Sequence, residues 1–283
     1  MNDLSKSLIL KSNYKVNHIT KSPDFSLTFN IASPIFTLYF KECLDEFFST
    51  LFHWETMKIL GMDTSSPSGS IALLDDNDIV SESVVKGSPA YSDKLLFEID
   101  TILNSSGTKL NDIDGFVITT GPGSFTGLRV GISLLKGFIL ATEKPFASVN
   151  TLEAYAETVQ PGPHVICPVL DARKKEVYTA LFNSENDQYV RSTPDQAISA
   201  ADLCDQIKQP TAFVGNGLDV YKDVFTSCLK KKFVHNVPTK NLTVAASAVL
   251  IANLKENLHY DLDSLMINYV RPSEAELNYT APK

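Results

Sequence analysis

Met57-Lys58-Ile59-Leu60-Gly61-Met62-Asp63-Thr64-Ser65 opens the first clearly patterned part of this chain. Lys58 to Thr64 reads as a short apolar strand. The Ser65-Ser66-Pro67-Ser68-Gly69 cluster turns the chain, and Ser70 to Leu74 reads as a second strand. Asp75-Asp76-Asn77-Asp78 turns it again into a third, Ile79 to Val85. Three strands joined by tight turns predict an antiparallel meander. Ser92 then opens a helix with Leu95, Leu96, Ile99, Ile102 and Leu103 on one face and Gly107 past its end. Phe116 to Thr119 is a short buried-type strand broken by Gly121-Pro122-Gly123. A second helix runs from about Thr126 to Thr142 and stops before Pro145.

The order strand-strand-strand-helix-strand-helix then recurs. Val165 to Leu170, Glu176 to Phe182 and Gln188 to Arg191 read as strands. Ser199 to Gln209 reads as a helix with Ser199 as a candidate N-cap, and Thr211 to Val214 as a strand ended by Gly215-Asn216-Gly217. Later helices are expected at about 219–229 and 242–257. Asp63 ends the first strand of one half and Asp171 the first strand of the other. A duplicated βββαβα unit is the build of the actin-like (ASKHA) fold shared by sugar kinases and chaperone ATPases: α/β, two lobes, mixed sheets flanked by helices. That likeness concerns fold and leaves function open.

Composition separates residues 1–56 from the rest. They hold 10 of the 27 aromatics, while all 13 glycines lie from Gly61 onward. Phe36, Phe40, Cys43, Phe47, Leu51 and Trp54 fall at helical steps. A membrane-surface helix would carry more basic charge than the lone Lys41 set against Glu42, Asp45 and Glu46. The expected organisation is a 1–56 extension, a first lobe over 57–160, and a second lobe over 161–283 whose C-terminal segment returns to the first.

The 283 residues are 43% hydrophobic and 20% charged, which excludes disorder and a disulfide-rich miniprotein. A net charge of -8 repels phosphate at long range and argues against a stand-alone nucleic-acid binder. Lys230, Lys231 and Lys232 read as a solvated loop. Four scattered cysteines without a Cys-x-x-Cys pair fit reduced thiols. No apolar run approaches the roughly 20 residues of a membrane span, and Leu8-Ile9-Leu10 is too short for a signal-peptide core. A cytoplasmic protein with no membrane partner is expected.

The most distinctive stretch is Gly121-Pro122-Gly123-Ser124-Phe125-Thr126-Gly127-Leu128-Arg129-Val130-Gly131. It is neither a Walker A loop nor a dinucleotide fingerprint, and it contains no nucleophile elbow. Its glycines permit tight turning, and Ser124 and Thr126 can cap the helix that follows. Two readings remain: a structural turn, or an anion or nucleotide contact built from Asp63, Thr64, Ser65, Gly121, Gly123 and Ser124 at a helix start. The helix after it carries one polar stripe, Arg129, Ser133 and Lys136, and is otherwise apolar or glycine. Gly127 and Gly131 permit close approach, either by this chain's own core or by a partner helix. On the preceding helix, Phe97 lies off the buried face, which points to an interface.

Catalytic constellations are missing. No two of His18, His53, His164, His235 and His259 are closer than 24 residues, so there is no H-x-x-x-H or H-E-x-x-H pair. Asp63 and Asp171 either face each other across a cleft or accept hydrogen bonds in their own turns. A protease has neither a metal pair nor a nucleophile-base set here.

At this point the chain resembles the bacterial TsaB (YeaZ) family. The resemblance lies in Met57 to Ser65, in Gly121 to Gly131, and in Asp171-Ala172-Arg173-Lys174-Lys175-Glu176-Val177-Tyr178. Gly215-Asn216-Gly217-Leu218 and Tyr269-Val270-Arg271-Pro272 are later landmarks. It covers about 57–283, so Met57 is expected to be the true initiator and 1–56 an over-extended start, with a lineage-specific extension as the alternative. The resemblance implies an actin-like fold and a non-catalytic scaffold or activator of the complex that makes threonylcarbamoyladenosine at position 37 of tRNAs reading codons that begin with A. It implies direct pairing with TsaD, the homologue that carries the metal-binding histidines and the transferase activity. TsaE joins the complex, a homodimer is an alternative assembly, tRNA is met through the complex, and TsaC supplies threonylcarbamoyl-adenylate. ATP and a metal ion would belong to the partners, leaving this chain no cofactor of its own. The implied interface comprises Leu95, Phe97, Ile102, Gly127, Val130, Gly131, Leu134 and Phe138. Tyr91-Ser92 replaces the family's frequent His-Ser, and Phe97 stands where a proline is frequent. The competing function is an independent actin-fold ATP-dependent phosphotransferase.

Overall fold

A computed structural model describes residues 57–86, 91–186, 188–234, 237–255 and 258–271. The aromatic helix expected over 35–54 and the start-site question lie outside the described residues. Residues Thr56–Lys283 form one compact unit.

The meander forms as the turn residues dictate: β1 (Lys58–Asp63), β2 (Ser68–Asp75) and β3 (Asp78–Lys86), paired antiparallel. Next come α1 (Tyr91–Ser105), β4 (Gly115–Thr119), α2 (Phe125–Thr142), β5 (Phe146–Val149) and α3 (Thr151–Glu157). The sheet order is β3-β2-β1-β4-β5, with β4 and β5 parallel to β1. Successive residues of these strands enter opposite cores, as a period of two requires. Leu60, Met62, Ile71, Leu73, Phe116 and Ile118 meet Leu95, Ile99 and Ile102 of α1 and Ile132, Leu135 and Ile139 of α2. Ile59, Leu74 and Val117 enter a second core together with Ala154, Val249 and Ile251. A sheet covered on both faces accounts for the nearly unbroken apolar run of β1. The edge strand β3 alternates exposed and half-buried positions instead.

The second sheet repeats this order. Its strands are β6 (Val165–Asp171), β7 (Glu176–Thr179), β8 (Phe182–Glu185), β9 (Gln188–Arg191), β10 (Gln196–Ser199), β11 (Thr211–Val214) and β12 (Phe233–Val234). Its helices are α4 (Ala200–Gln206), α5 (Gly217–Leu229) and α6 (Val244–Lys255). The path β10-β7-β6-β11-β12 matches β3-β2-β1-β4-β5 strand for strand, with the same antiparallel and parallel pairings. This is the duplicated actin-like fold.

Two assignments change. The third strand of the second half is Gln196–Ser199, not Gln188 to Arg191, which pairs with Phe182–Glu185 in an extra hairpin. Glu176 to Phe182 is not one strand: β7 pairs with the 169–171 end of β6, whereas Phe182 pairs with Ile166. The short elements β5, α3 and β12 are further additions to the sequence reading. Ser199 caps α4 by accepting from the Asp202 amide at 3.0 Å.

Helix α6 packs closely on β1. A Cβ on Gly61 would overlap Val249, so glycine makes the approach possible. Helix α2 is long and apolar enough to cross a membrane by length and composition. Its Leu128, Ile132, Leu135 and Ile139 are instead buried in this fold. The cysteines also depart from expectation: Cys204 of α4 and Cys228 of α5 form a disulfide with Cα atoms 6.3 Å apart. Cys167 is free and buried; its Sγ lies 3.1 Å from the Thr179 hydroxyl, and burial pushes its thiol up to about 12.

Candidate functional site

Asp63 closes β1 with its side chain wholly buried. Its Oδ1 accepts from the Thr119 hydroxyl at 2.6 Å and from the Ser65 amide at 3.1 Å. Burial holds the carboxyl above its ordinary value despite these bonds. Oδ2 of Asp63, the Thr64 hydroxyl and the Ser65 hydroxyl are buried without hydrogen-bond partners among the described residues.

The Gly121 loop lies directly on this turn. Gly121 adopts φ +115°, a region that favours glycine, before a cis bond to Pro122. It exchanges two hydrogen bonds with Thr151: Gly121 N donates to the hydroxyl at 3.0 Å, and Thr151 N donates to Gly121 O at 2.9 Å. Ser124 N donates to Ser65 O at 2.6 Å, and the Ser124 hydroxyl caps α2 by accepting from Gly127 N at 3.3 Å. A Cβ on Gly123 would lie 2.7 Å from Ser65 Cβ. The six residues expected to contact an anion therefore come together, but as a closed junction. Ser124 N and Gly127 N, which would face a phosphate, already have partners within the chain. A phosphate at either amide would have to displace a bond the chain already makes. The segment 258–271 seals it further: Asn268 N donates to Thr120 O at 2.8 Å, and Asn268 O would lie 2.8 Å from a Cβ on Gly121.

That segment ties distant elements together. His259 pairs with Phe146, and Tyr269 packs on Phe125 with ring centroids 4.8 Å apart. Arg129 lies 3.8 Å from the centroid of the Phe125 ring and donates from Nε to the Tyr269 hydroxyl at 3.1 Å. Arg271 pairs with Glu176 and donates to Ala172 O at 3.1 Å. Asn268 and Asn150 both donate to Asp195 Oδ2, at 2.7 and 2.6 Å.

Helices α1 and α2 flank an open apolar groove lined by Ser92, Leu96, Arg129, Val130, Ser133 and Leu134. Beside it Phe97 is 68% exposed and Leu140 73%. These side chains leave apolar surface exposed on α1 and α2, and such patches mark protein contacts.

The β6–β7 hairpin has its own geometry. Asp171 Oδ1 accepts from the Arg173 amide at 2.9 Å and from the Tyr221 hydroxyl at 3.2 Å, so this aspartate serves its own turn, as Asp63 does. Burial, then the Asp171 charge, raise the Tyr221 phenol above its ordinary value. Arg173, Lys174 and Lys175 have φ of 61°, 52° and 66°. Left-handed backbone costs an L-residue about 1–2 kcal/mol.

The family model described as "TsaD: tRNA N6-adenosine threonylcarbamoyltransferase" matches residues 85–279. The chain belongs to that family. Within it, the chain sits with the TsaB (YeaZ) proteins. The "tRNA threonylcarbamoyladenosine biosynthesis protein TsaB" of Bacillus subtilis (strain 168) is 29% identical over 227 residues, which span 79% of this chain and 98% of that protein. The TsaB protein of Escherichia coli (strain K12) is 29% identical over 174 residues, 59% of this chain and 75% of that one. A Pseudomonas aeruginosa crystal structure described as similar to the peptidase YeaZ superposes with a TM-score of 0.63. It is 20% identical and covers 76% of this chain and 100% of the other, and it supports the fold alone.

The TsaB-type interface residues named from the resemblance divide by position. Phe97 is exposed, and Val130 and Leu134 line the groove. Leu95 and Ile102 are not on that surface: they are 0% and 2% exposed and belong to the core. Gly127 and Gly131 turn inward as well. A Cβ on the first would overlap Thr64 O, and on the second the Thr64 side chain, so their spacing serves this chain's own packing. Phe138 is half-buried, with its ring stacked 5.7 Å from Phe116. Leu96, expected on one face with Leu95 and Ile99, is instead 45% exposed and lines the groove, while Leu140 went unread. Leu140 continues the stripe of Arg129, Ser133 and Lys136 by one more turn, so the sequence carried its signal.

Proposed function

We propose that this chain is a non-catalytic scaffold and activator of the threonylcarbamoyl-transferase complex that forms N6-threonylcarbamoyladenosine at position 37 of tRNAs reading codons that begin with A. It acts by pairing directly with TsaD through the α1–α2 face. The observation that carries this reading is the open groove with Phe97 and Leu140 at its side, on a chain whose Asp63–Gly121 junction is closed on itself. A sister fold with an apolar docking face is suited to support a homologue's chemistry. ATP and metal ion, in this account, are held by partner subunits, with TsaE joining the assembly. Among the described residues no cluster of three His, Cys, Asp or Glu side chains could hold a metal ion.

The test is co-elution of the full chain with its native TsaD on size-exclusion chromatography. Wild type is expected to run with TsaD, while Leu134→Asp and Leu96→Asp run separately with unchanged circular dichroism. Wild type eluting apart from TsaD, or tight ATP-Mg binding and turnover by the lone chain, would overturn the proposal.

A further inference from the structure

The α1–α2 groove is lined by Ser92, Leu96, Arg129, Val130, Ser133 and Leu134, and Arg129 is the one charged side chain of the six. The fold holds this arginine differently from two others. Arg191 is paired with Asp195, and Arg271 with Glu176. Arg129 has neutral partners instead, in a chain where Asp plus Glu is 33 against 25 Lys plus Arg. Its guanidinium carbon lies 3.8 Å from the centroid of the Phe125 ring, and its Nε donates to the Tyr269 hydroxyl at 3.1 Å. Tyr269 in turn packs on Phe125 with ring centroids 4.8 Å apart, so the three side chains brace one another. Among the described residues neither Nη1 nor Nη2 has a hydrogen bond or an ion pair.

The guanidinium is thus set in place at the groove with its fork unspent. Ordering that precedes a partner's arrival lowers the cost of binding. Covering the groove takes water away from this cation. A purely apolar partner surface would leave it desolvated without a counter-charge, which costs affinity. A carboxylate answers the need: the planar fork matches its two oxygens. The Tyr269 hydroxyl accepts from Nε and still has its own proton to give. The Ser92 and Ser133 hydroxyls line the same groove and offer further donors.

We propose that Arg129, braced by Phe125 and Tyr269, is the charged anchor of the α1–α2 face and receives an aspartate or glutamate side chain of TsaD. The inference rests on the proposed function for the identity of the partner. It adds what that partner must present: apolar side chains for Leu96, Val130 and Leu134, and one carboxylate among them.

The experiment measures the Kd of the full chain for its native TsaD by biolayer interferometry, with circular dichroism of each variant. Arg129→Gln is expected to weaken binding by at least about thirty-fold, the level that marks an anchor residue. Arg129→Lys keeps the charge without the fork and is expected to recover only part of the loss. Lys136→Gln lowers the net charge of -8 by the same one unit, on the same helix. Lys136 has no hydrogen bond or ion pair among the described residues, and its variant should stay within about two-fold of wild type. In a second arm, Asp and Glu residues of TsaD are changed singly to Arg and tested against Arg129→Glu. One of these swaps is expected to restore affinity by about tenfold, which also shows that the variant chain is folded.

Equal losses in Arg129→Gln and Lys136→Gln would reduce the effect to net charge and overturn the anchor. An Arg129→Glu defect that no TsaD swap relieves would overturn it too, as would Arg129→Lys binding like wild type. Wild type that binds TsaD while Arg129→Gln binds equally well refutes the anchor alone. Wild type that does not bind TsaD refutes the proposed function, and the anchor falls with it.

Discussion

Gly127 and Gly137 stand ten residues apart on α2 and test how that helix is used. A Cβ at Gly127 would overlap the carbonyl oxygen of Thr64, a backbone atom of a fully buried residue, whereas a Cβ at Gly137 meets nothing within 4 Å. Gly137→Ala therefore gains helix propensity, about 0.8–1.0 kcal/mol in an exposed helix interior. Gly127→Ala gains less, because it lies in the first turn, and it forces α2 away from the turn after β1. Overpacking of this kind costs about 1–3 kcal/mol. The two variants should differ by roughly 2–4 kcal/mol in opposite directions from wild type. For a folded unit of this size that is a separation of at least about 4 °C in Tm. Guanidinium unfolding followed by circular dichroism measures it as a shift of midpoint at constant slope. A Gly127→Ala protein as stable as Gly137→Ala would refute the inward packing of α2 and return the Gly127–Gly131 spacing to a partner-facing role.

Two further outcomes follow from the buried groups. The native state holds the Asp63 proton more tightly than the unfolded chain does, since burial raises its carboxyl from 3.8. Its favourable contribution is thus present at low pH and lost as pH rises through the raised value. Asp63→Asn should match or exceed wild-type stability at pH 7, with the difference shrinking toward pH 3; a pH-independent loss would contradict this. For the disulfide, unfolded and unreduced protein should leave Cys204 and Cys228 untitrated while Cys167 titrates, and Cys204→Ser with Cys228→Ser should lower stability. Closure of a loop of this length is worth about 3 kcal/mol. Four titratable thiols, or an unchanged midpoint, would exclude a structural role for the bridge.

The meander of the first half was legible because turn residues bound its strands, from Ser65-Ser66-Pro67 to Asp76-Asn77. The second half was harder. Gln188 to Arg191 has a strand pattern and forms a strand, yet its partner is Phe182–Glu185, and a local pattern does not name a partner. Strand β5 has four residues and α3 seven, too short for periodicity to register. At the candidate site, apolarity marked α2 as a covered helix but did not assign its faces. The glycines answer to Thr64, and Leu95 and Ile102 to the core, leaving Leu96, Phe97 and Leu140 outward. The Cys204–Cys228 proximity arises only when α4 and α5 pack side by side. The closed junction at Asp63 was one of two open readings of the glycine loop. The choice depended on Ser124 reaching Ser65 O, a contact between segments far apart in sequence.

The most direct measurement is threonylcarbamoyl transfer to an unmodified tRNA transcript in a reconstituted system containing the native TsaD, with threonylcarbamoyl-adenylate supplied. The account predicts no modification by this chain alone and a marked rise in TsaD-dependent modification when the chain is added, abolished by Leu134→Asp. Modification by TsaD that is the same with and without the chain would contradict it.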